Sequence, residues 1–149
     1  MVKRKNILTC SFDPRFKGVA LFEGYPHYQL FKEQLFAKAG LAFLLKDERV
    51  VFFDGERILT ENLTTNHIIY VFAHEIGHYI LGHNMKRNYR LEMEADWAAV
   101  NICVHIKKKS AAMLATYEFY NRYGFTYKEL AISEKKKLQL TAYLETLDI

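Results

Sequence analysis

Residues 65–83 read Thr-Asn-His-Ile-Ile-Tyr-Val-Phe-Ala-His-Glu-Ile-Gly-His-Tyr-Ile-Leu-Gly-His, and the segment His74-Glu75-Ile76-Gly77-His78 lies at their centre. The apolar spacing predicts a helix over 65–81. Thr64 or Thr65 can cap its start and Gly82 can sit just past its end. Positions i and i+4 of a helix share one face, so both imidazoles can reach a single metal ion. Zinc at a catalytic site takes a third protein ligand and keeps a fourth position open for water. Glu75 stands one residue on, roughly 100° round the helix. There it cannot easily share the metal, but it can take a proton from that water.

A third ligand is available at sensible spacing. Glu92-Met93-Glu94-Ala95-Asp96 opens a second helix, expected over 89–106, and Glu92 and Asp96 stand four apart on one face. Glu92 is assigned to the zinc. Asp96 is expected to accept a hydrogen bond from the free ring nitrogen of a ligating histidine, which fixes the tautomer and raises its basicity. Glu94 faces away from that pair and ranks below Glu92 as a ligand. His83 falls off the helical register and reads as a local hydrogen-bonding residue. Trp97 reads as core. For stabilising an oxyanion, His83, Tyr70, Tyr89 and His105 are all candidates, and the sequence does not choose among them.

Working toward the amino terminus, residues 56–60, 50–53 and 41–45 are short apolar segments separated by turn signals. Asp54-Gly55 is a two-residue hairpin signal, so a three-stranded antiparallel meander is expected. Before it, Pro26 suits the first turn of a helix running to about Ala39 and stopped by Gly40, with Leu30, Phe31, Leu35 and Ala39 as its apolar stripe. Toward the carboxy terminus, a helix from Ser110 ends near Tyr123-Gly124. The last segment is helical, with Ser133 capping a start at Glu134. The order of helix, strands and then helices gives an α+β class.

The chain has 149 residues, half of them hydrophobic and 26% charged, which suits one globular domain and excludes a disordered chain. Its net charge of +4 gathers in Lys3, Arg4 and Lys5, in Lys107 to Lys109, and in Lys135 to Lys137. Those clusters read as solvated charge that keeps the protein soluble. No apolar run is long enough to span a membrane, so no membrane partner is expected. Nor does a secretory signal follow Met1, since Asp13, Pro14 and Arg15 interrupt the segment. The two cysteines, Cys10 and Cys103, form no CxxC pair, and a disulfide between them has nothing in its favour. The expected compartment is the reducing cytoplasm.

His74-Glu75-Ile76-Gly77-His78-Tyr79-Ile80-Leu81-Gly82-His83, followed by Glu92-Met93-Glu94-Ala95-Asp96-Trp97-Ala98-Ala99, resembles the ImmA/IrrE family of zinc metallopeptidases. The resemblance runs over roughly residues 25–100. It implies a gluzincin-like fold with His74, His78 and Glu92 on zinc and Glu75 as base. It also implies endopeptidase cleavage of a protein substrate, a transcriptional repressor of the kind carried by prophages or other mobile elements. Where that family often continues with a Leu-Met-Pro-like segment, this chain has Val100-Asn101-Ile102-Cys103-Val104-His105. The expected organisation is a single metallopeptidase domain over 1–149, with a catalytic core at 25–106 and a helical tail at 107–149. Two other readings compete with a repressor-cleaving peptidase. One is a non-catalytic regulatory module that keeps a structural zinc and binds a repressor or DNA through its basic clusters. The other is a toxin-like peptidase of a two-gene system. Fragments, as against a stable complex, on mixing with a partner separate peptidase from binding module.

Overall fold

Val50–Asp54 is the central strand of the first half because its residues suit burial on both faces: Val51 and Phe53 are fully buried on one, and Phe52 packs among aromatic rings on the other. The computed structural model describes residues 7–8, 12–36, 40–83 and 88–147. The chain divides into two compact units, Met1–Ile68 and Ile69–Ile149.

In the first unit, strands β1 (Ile7–Leu8), β2 (Lys17–Leu21), β3 (Ala42–Leu45) and β4 (Val50–Asp54) form a mixed sheet in the order β1-β2-β4-β3. β3 and β4 pair antiparallel with Phe43 opposite Phe52, as the turn signal between them predicts. β2 runs parallel to β4, with Val19 opposite Phe52. Helix α1 (Tyr28–Phe31) continues into a π-helical turn, Lys32–Phe36. A π turn brings residues five apart into line. Phe31 and Phe36 therefore both reach Phe43, at ring distances of 5.8 and 5.6 Å, and with Leu21 and Tyr28 they build the core of this unit.

Two expectations need correction here. The helix expected from Pro26 begins two residues later, because His27 takes a left-handed conformation (φ 69°) just before it. Residues 37–39, where that helix was expected to end, lie outside the described residues. So do Lys3, Arg4, Lys5 and Cys10. Gly40 has φ 82°, and its N–H donates to the Phe36 carbonyl at 2.8 Å.

The larger correction is to the three-stranded antiparallel sheet. Residues 56–60 are not a returning strand: Gly55–Thr60 is helix α2, and Asp54 is its N-cap, accepting from the Arg57 N–H. The place beside β4 that residues 56–60 were expected to fill belongs to β2, and the sheet is mixed. Gly55 is needed for close approach, since a Cβ there would lie 2.6 Å from both the Leu21 carbonyl oxygen and the Phe22 ring.

The second unit is helical. Helix α3 (Thr65–Ile80), whose first four residues belong to the first unit, starts from Thr64, whose hydroxyl accepts from the His67 N–H, and Gly82 follows its end at φ 67°. Helix α4 (Tyr89–His105) is capped by Asn88, which accepts from the N–H groups of Arg90 and Leu91. Most of α4 is buried, and Trp97 packs as core. Helix α5 (Lys109–Tyr123) ends at Gly124 (φ 80°), and helix α6 (Glu134–Glu145) is capped by Ser133, both as the sequence predicts. Cys103 is buried and free, and burial pushes its thiol up to about 12. No helix among the described residues is long and apolar enough to cross a membrane.

Candidate metal centre

His74 and His78 lie one turn apart on α3, and Glu92 stands in the first turn of α4. Their side chains converge. His74 Nε2 is 3.0 Å from Glu92 Oε2, His78 Nε2 is 3.5 Å from the same oxygen, and the two Nε2 atoms are 3.1 Å apart. Four ligand atoms about 2.0–2.1 Å from a tetrahedral zinc ion stand roughly 3.3 Å from one another. The three donor atoms already have the spacing of one face of that tetrahedron, and two imidazoles with one carboxylate are a donor set zinc accepts. The residues fit the metal.

Close helix packing makes this meeting possible. A Cβ on Gly77 would stand 3.0 Å from the Ala95 carbonyl oxygen and 3.0 Å from the Ala98 side chain. Gly77 therefore lets α4 approach α3 closely enough for Glu92 to face both histidines. Nothing in the spacing of the motif signals this role for Gly77.

Each histidine is held from behind. His74 Nδ1 donates to Asp96 Oδ1 at 2.7 Å. Asp96 also accepts from the hydroxyls of Tyr70 (2.9 Å) and Tyr123 (2.5 Å) and from Arg122 Nη1 (3.3 Å). Four donors fill a carboxylate with no solvent exposure, and the group stays ionised: burial would raise its pKa, but His74, Tyr123 and Arg122 bring it down. The phenols of Tyr70 and Tyr123 are raised, first by burial and then by Asp96. Neither Arg122 nor Tyr123 carries a signal in its local sequence; only the fold brings α5 to Asp96.

His78 is held by a longer chain. Its Nδ1 lies 2.9 Å from His83 Nδ1, and His83 Nε2 lies 3.1 Å from Glu94 Oε1. Arg90 Nε donates to Glu94 Oε2 at 3.0 Å, and Lys136 of α6 donates to Glu94 Oε1. His83 is the local hydrogen-bonding residue expected, although its partner is a donor of the triad. Burial lowers its pKa. Lys136, expected among solvated lysines, turns inward.

The charge balance around the triad favours a cation. Burial works against a charged His74, but Asp96 and then Glu92 outweigh it and raise its pKa to about 10. Glu92 is held well below the usual range: burial opposes ionisation, but the two histidines beside it prevail. Glu75 Oε2 stands 3.9 Å from His74 Nε2 with its side chain nearly buried, and burial raises its pKa despite the two histidines. A carboxyl with raised proton affinity beside the donor triad suits general-base chemistry.

Among the oxyanion candidates, Tyr70 and His83 are taken up by Asp96 and by the His78–Glu94 chain. His105 ends α4, thirteen residues and roughly 20 Å along the helix from Glu92. Tyr89 is exposed, its ring stacked edge-on against Tyr123 at 5.5 Å.

The family model of peptidase family M48 matches residues 13–137. No curated protein and no solved structure matches the chain. With most of its length under that one family model, the chain belongs to peptidase family M48, a family of zincin-like metallopeptidases.

Proposed function

We propose that the chain is a zinc-dependent endopeptidase in which His74, His78 and Glu92 hold the metal, Glu75 is the general base and Asp96 orients His74. The observation that carries this reading is the convergence of three donor atoms within 3.0–3.5 Å beside a nearly buried carboxyl. Bound there, zinc supplies Lewis-acid polarisation of a peptide carbonyl and makes water acidic near neutral pH. Glu75 takes the proton from the attacking water and returns it to the leaving amine. Asp96 keeps the proton of His74 on Nδ1, which leaves Nε2 as a lone-pair donor.

Three meeting ligands, as found among the described residues, are the number of a catalytic site, whereas structural zinc sites use four. That favours the peptidase over a binding module with structural zinc. The motif text that resembles ImmA/IrrE supports a finer reading, in which a regulatory protein such as a transcriptional repressor is the substrate, and the sparse cysteines without a CxxC pair support the reducing cytoplasm as the compartment.

The test is zinc content and turnover together. Parent protein should carry about one zinc, and Glu92→Ala should lose it. Glu75→Gln should keep zinc and lose cleavage of unfolded casein by about 10²–10⁴-fold. Cleavage retained by Glu75→Gln would remove it as the base.

A further inference from the structure

Asp96 reaches His74 directly, but nothing so simple stands behind His78, and the groups that do come from three separate places in the second unit. His83 lies just beyond α3, Glu94 and Arg90 are on α4, and Lys136 is on α6. We propose that His83 and Glu94 are positioning residues for the metal ligand His78, and that Lys136 locks this relay, making α6 a working part of the metal centre. The inference rests on the zinc reading of the triad.

The direction of every hydrogen bond in the chain follows from one constraint. His78 Nε2 faces His74 Nε2 and Glu92 and must offer a lone pair to ligate, so its proton sits on Nδ1. That N–H donates to His83 Nδ1 at 2.9 Å. His83 then carries its own proton on Nε2, and donates it to Glu94 Oε1 at 3.1 Å. A neutral imidazole has one donor and one acceptor, and His83 spends both in the relay. The pattern repeats the carboxylate–histidine support of His74 with one ring inserted.

His83 and Glu94 are 3% and 2% exposed. A carboxylate that deep needs counter-charge, and it has two: Arg90 on Oε2 and Lys136 on Oε1, the oxygen that also receives His83. Arg90 in turn donates through Nη2 to the Ala131 carbonyl, tying down the segment just before α6. A Glu94 carboxylate wanted only for stability would not need a histidine between it and the metal donors.

The experiment measures zinc affinity by chelator competition and the visible spectrum of the cobalt-loaded protein for parent, His83→Leu, His83→Gln and Lys136→Met. Circular dichroism checks that each variant is folded. His83→Leu should bind zinc about 10–100-fold more weakly and shift the cobalt bands. His83→Gln can still accept from His78 and donate to Glu94, so it should recover most of the affinity. Lys136→Met alters a partly exposed side chain, which guards against loss of fold. It should weaken zinc by at least about threefold. A folded His83→Leu with parental affinity and spectrum overturns the relay while leaving the zinc reading intact. If His83→Leu does not fold, parental affinity in Lys136→Met overturns the lock. A parent that takes up no zinc overturns both readings.

Discussion

Asp54 in the sheet unit and Asp96 in the helical unit are both buried carboxylates with tyrosine hydroxyls on them, yet they do different work. Asp54 Oδ1 accepts from the Tyr28 hydroxyl at 2.8 Å and from the Arg57 N–H at 3.4 Å, with Lys32 at 3.9 Å from Oδ2. It joins a strand end to two helices, and among the described residues it belongs to no cluster of metal-ligating groups. Asp96 has phenols and a guanidinium as well, but its shortest bond to a nitrogen goes to His74, whose Nε2 meets His78 Nε2 and Glu92 Oε2. A buried carboxylate alone therefore marks nothing. What separates joint from site is whether its partner has a second face turned toward other ligands.

The sharpest way to break that comparison is to truncate both. Asp96→Ala takes an acceptor from the His74 ring, the buried Tyr70 phenol, the half-buried Tyr123 phenol and the half-exposed Arg122, and the lost hydrogen bonds together should cost about 3–5 kcal/mol in denaturant unfolding. The folded fraction should also bind zinc about 10–100-fold more weakly. Asp54→Ala removes a helix cap and one phenol's acceptor, for about 1–2 kcal/mol. Its zinc affinity should not move. Equal losses on both measurements would mean that Asp96 is only another joint.

Much of this contrast was open to sequence reasoning on one side and closed on the other. The i, i+4 spacing of His74 and His78, the caps at Thr64 and Ser133, and the stop at Gly124 are local relations, which a helix translates directly into space. Asp54-Gly55 is local too, but ambiguous. The same two letters favour a hairpin turn and a helix N-cap, and the choice turns on β2, a parallel partner more than thirty residues earlier. A parallel neighbour leaves no mark on β4 itself beyond its apolar run. Arg122, Tyr123 and Lys136 were illegible for a related reason. They sit on helices whose approach to Asp96 and Glu94 is set by packing, and an exposed lysine run looks the same whether or not one member turns inward. The family match removes none of this ambiguity, since it identifies the kind of enzyme and not the partners of each side chain.

The glycines sharpen the comparison at smaller amplitude. Gly55→Ala drives a Cβ onto a carbonyl oxygen and an aromatic ring of β2 and its continuation, and should cost about 2–3 kcal/mol by overpacking. Gly77→Ala meets its neighbours at 3.0 Å, where α3 and α4 can part by a few tenths of an ångström. Its loss of stability should be nearer 1 kcal/mol. Because the contact it loosens brings Glu92 to the histidines, zinc affinity should fall as well, while Gly55→Ala keeps it. If Gly77→Ala bound zinc like the parent, the close approach of the helices would be a matter of packing alone.

The smallest effect expected is at Ser133, and it tests the comparison from the cap side. Ser133 Oγ accepts from the Lys136 N–H at 3.3 Å, and the same Lys136 reaches Glu94 through its side chain. Ser133→Ala should cost about 0.5–1 kcal/mol, as an exposed cap does. Asp54 is a cap of the other unit, and losing it should cost more stability while leaving zinc alone. Losing the weaker cap at Ser133 should slacken the turn that carries Lys136 and lower zinc affinity slightly, by less than Lys136→Met does. The order is the point: the smaller stability loss should carry the larger metal effect. A reversed order would show that Lys136 is placed by its own ion pair with Glu94, independently of the helix turn beneath it.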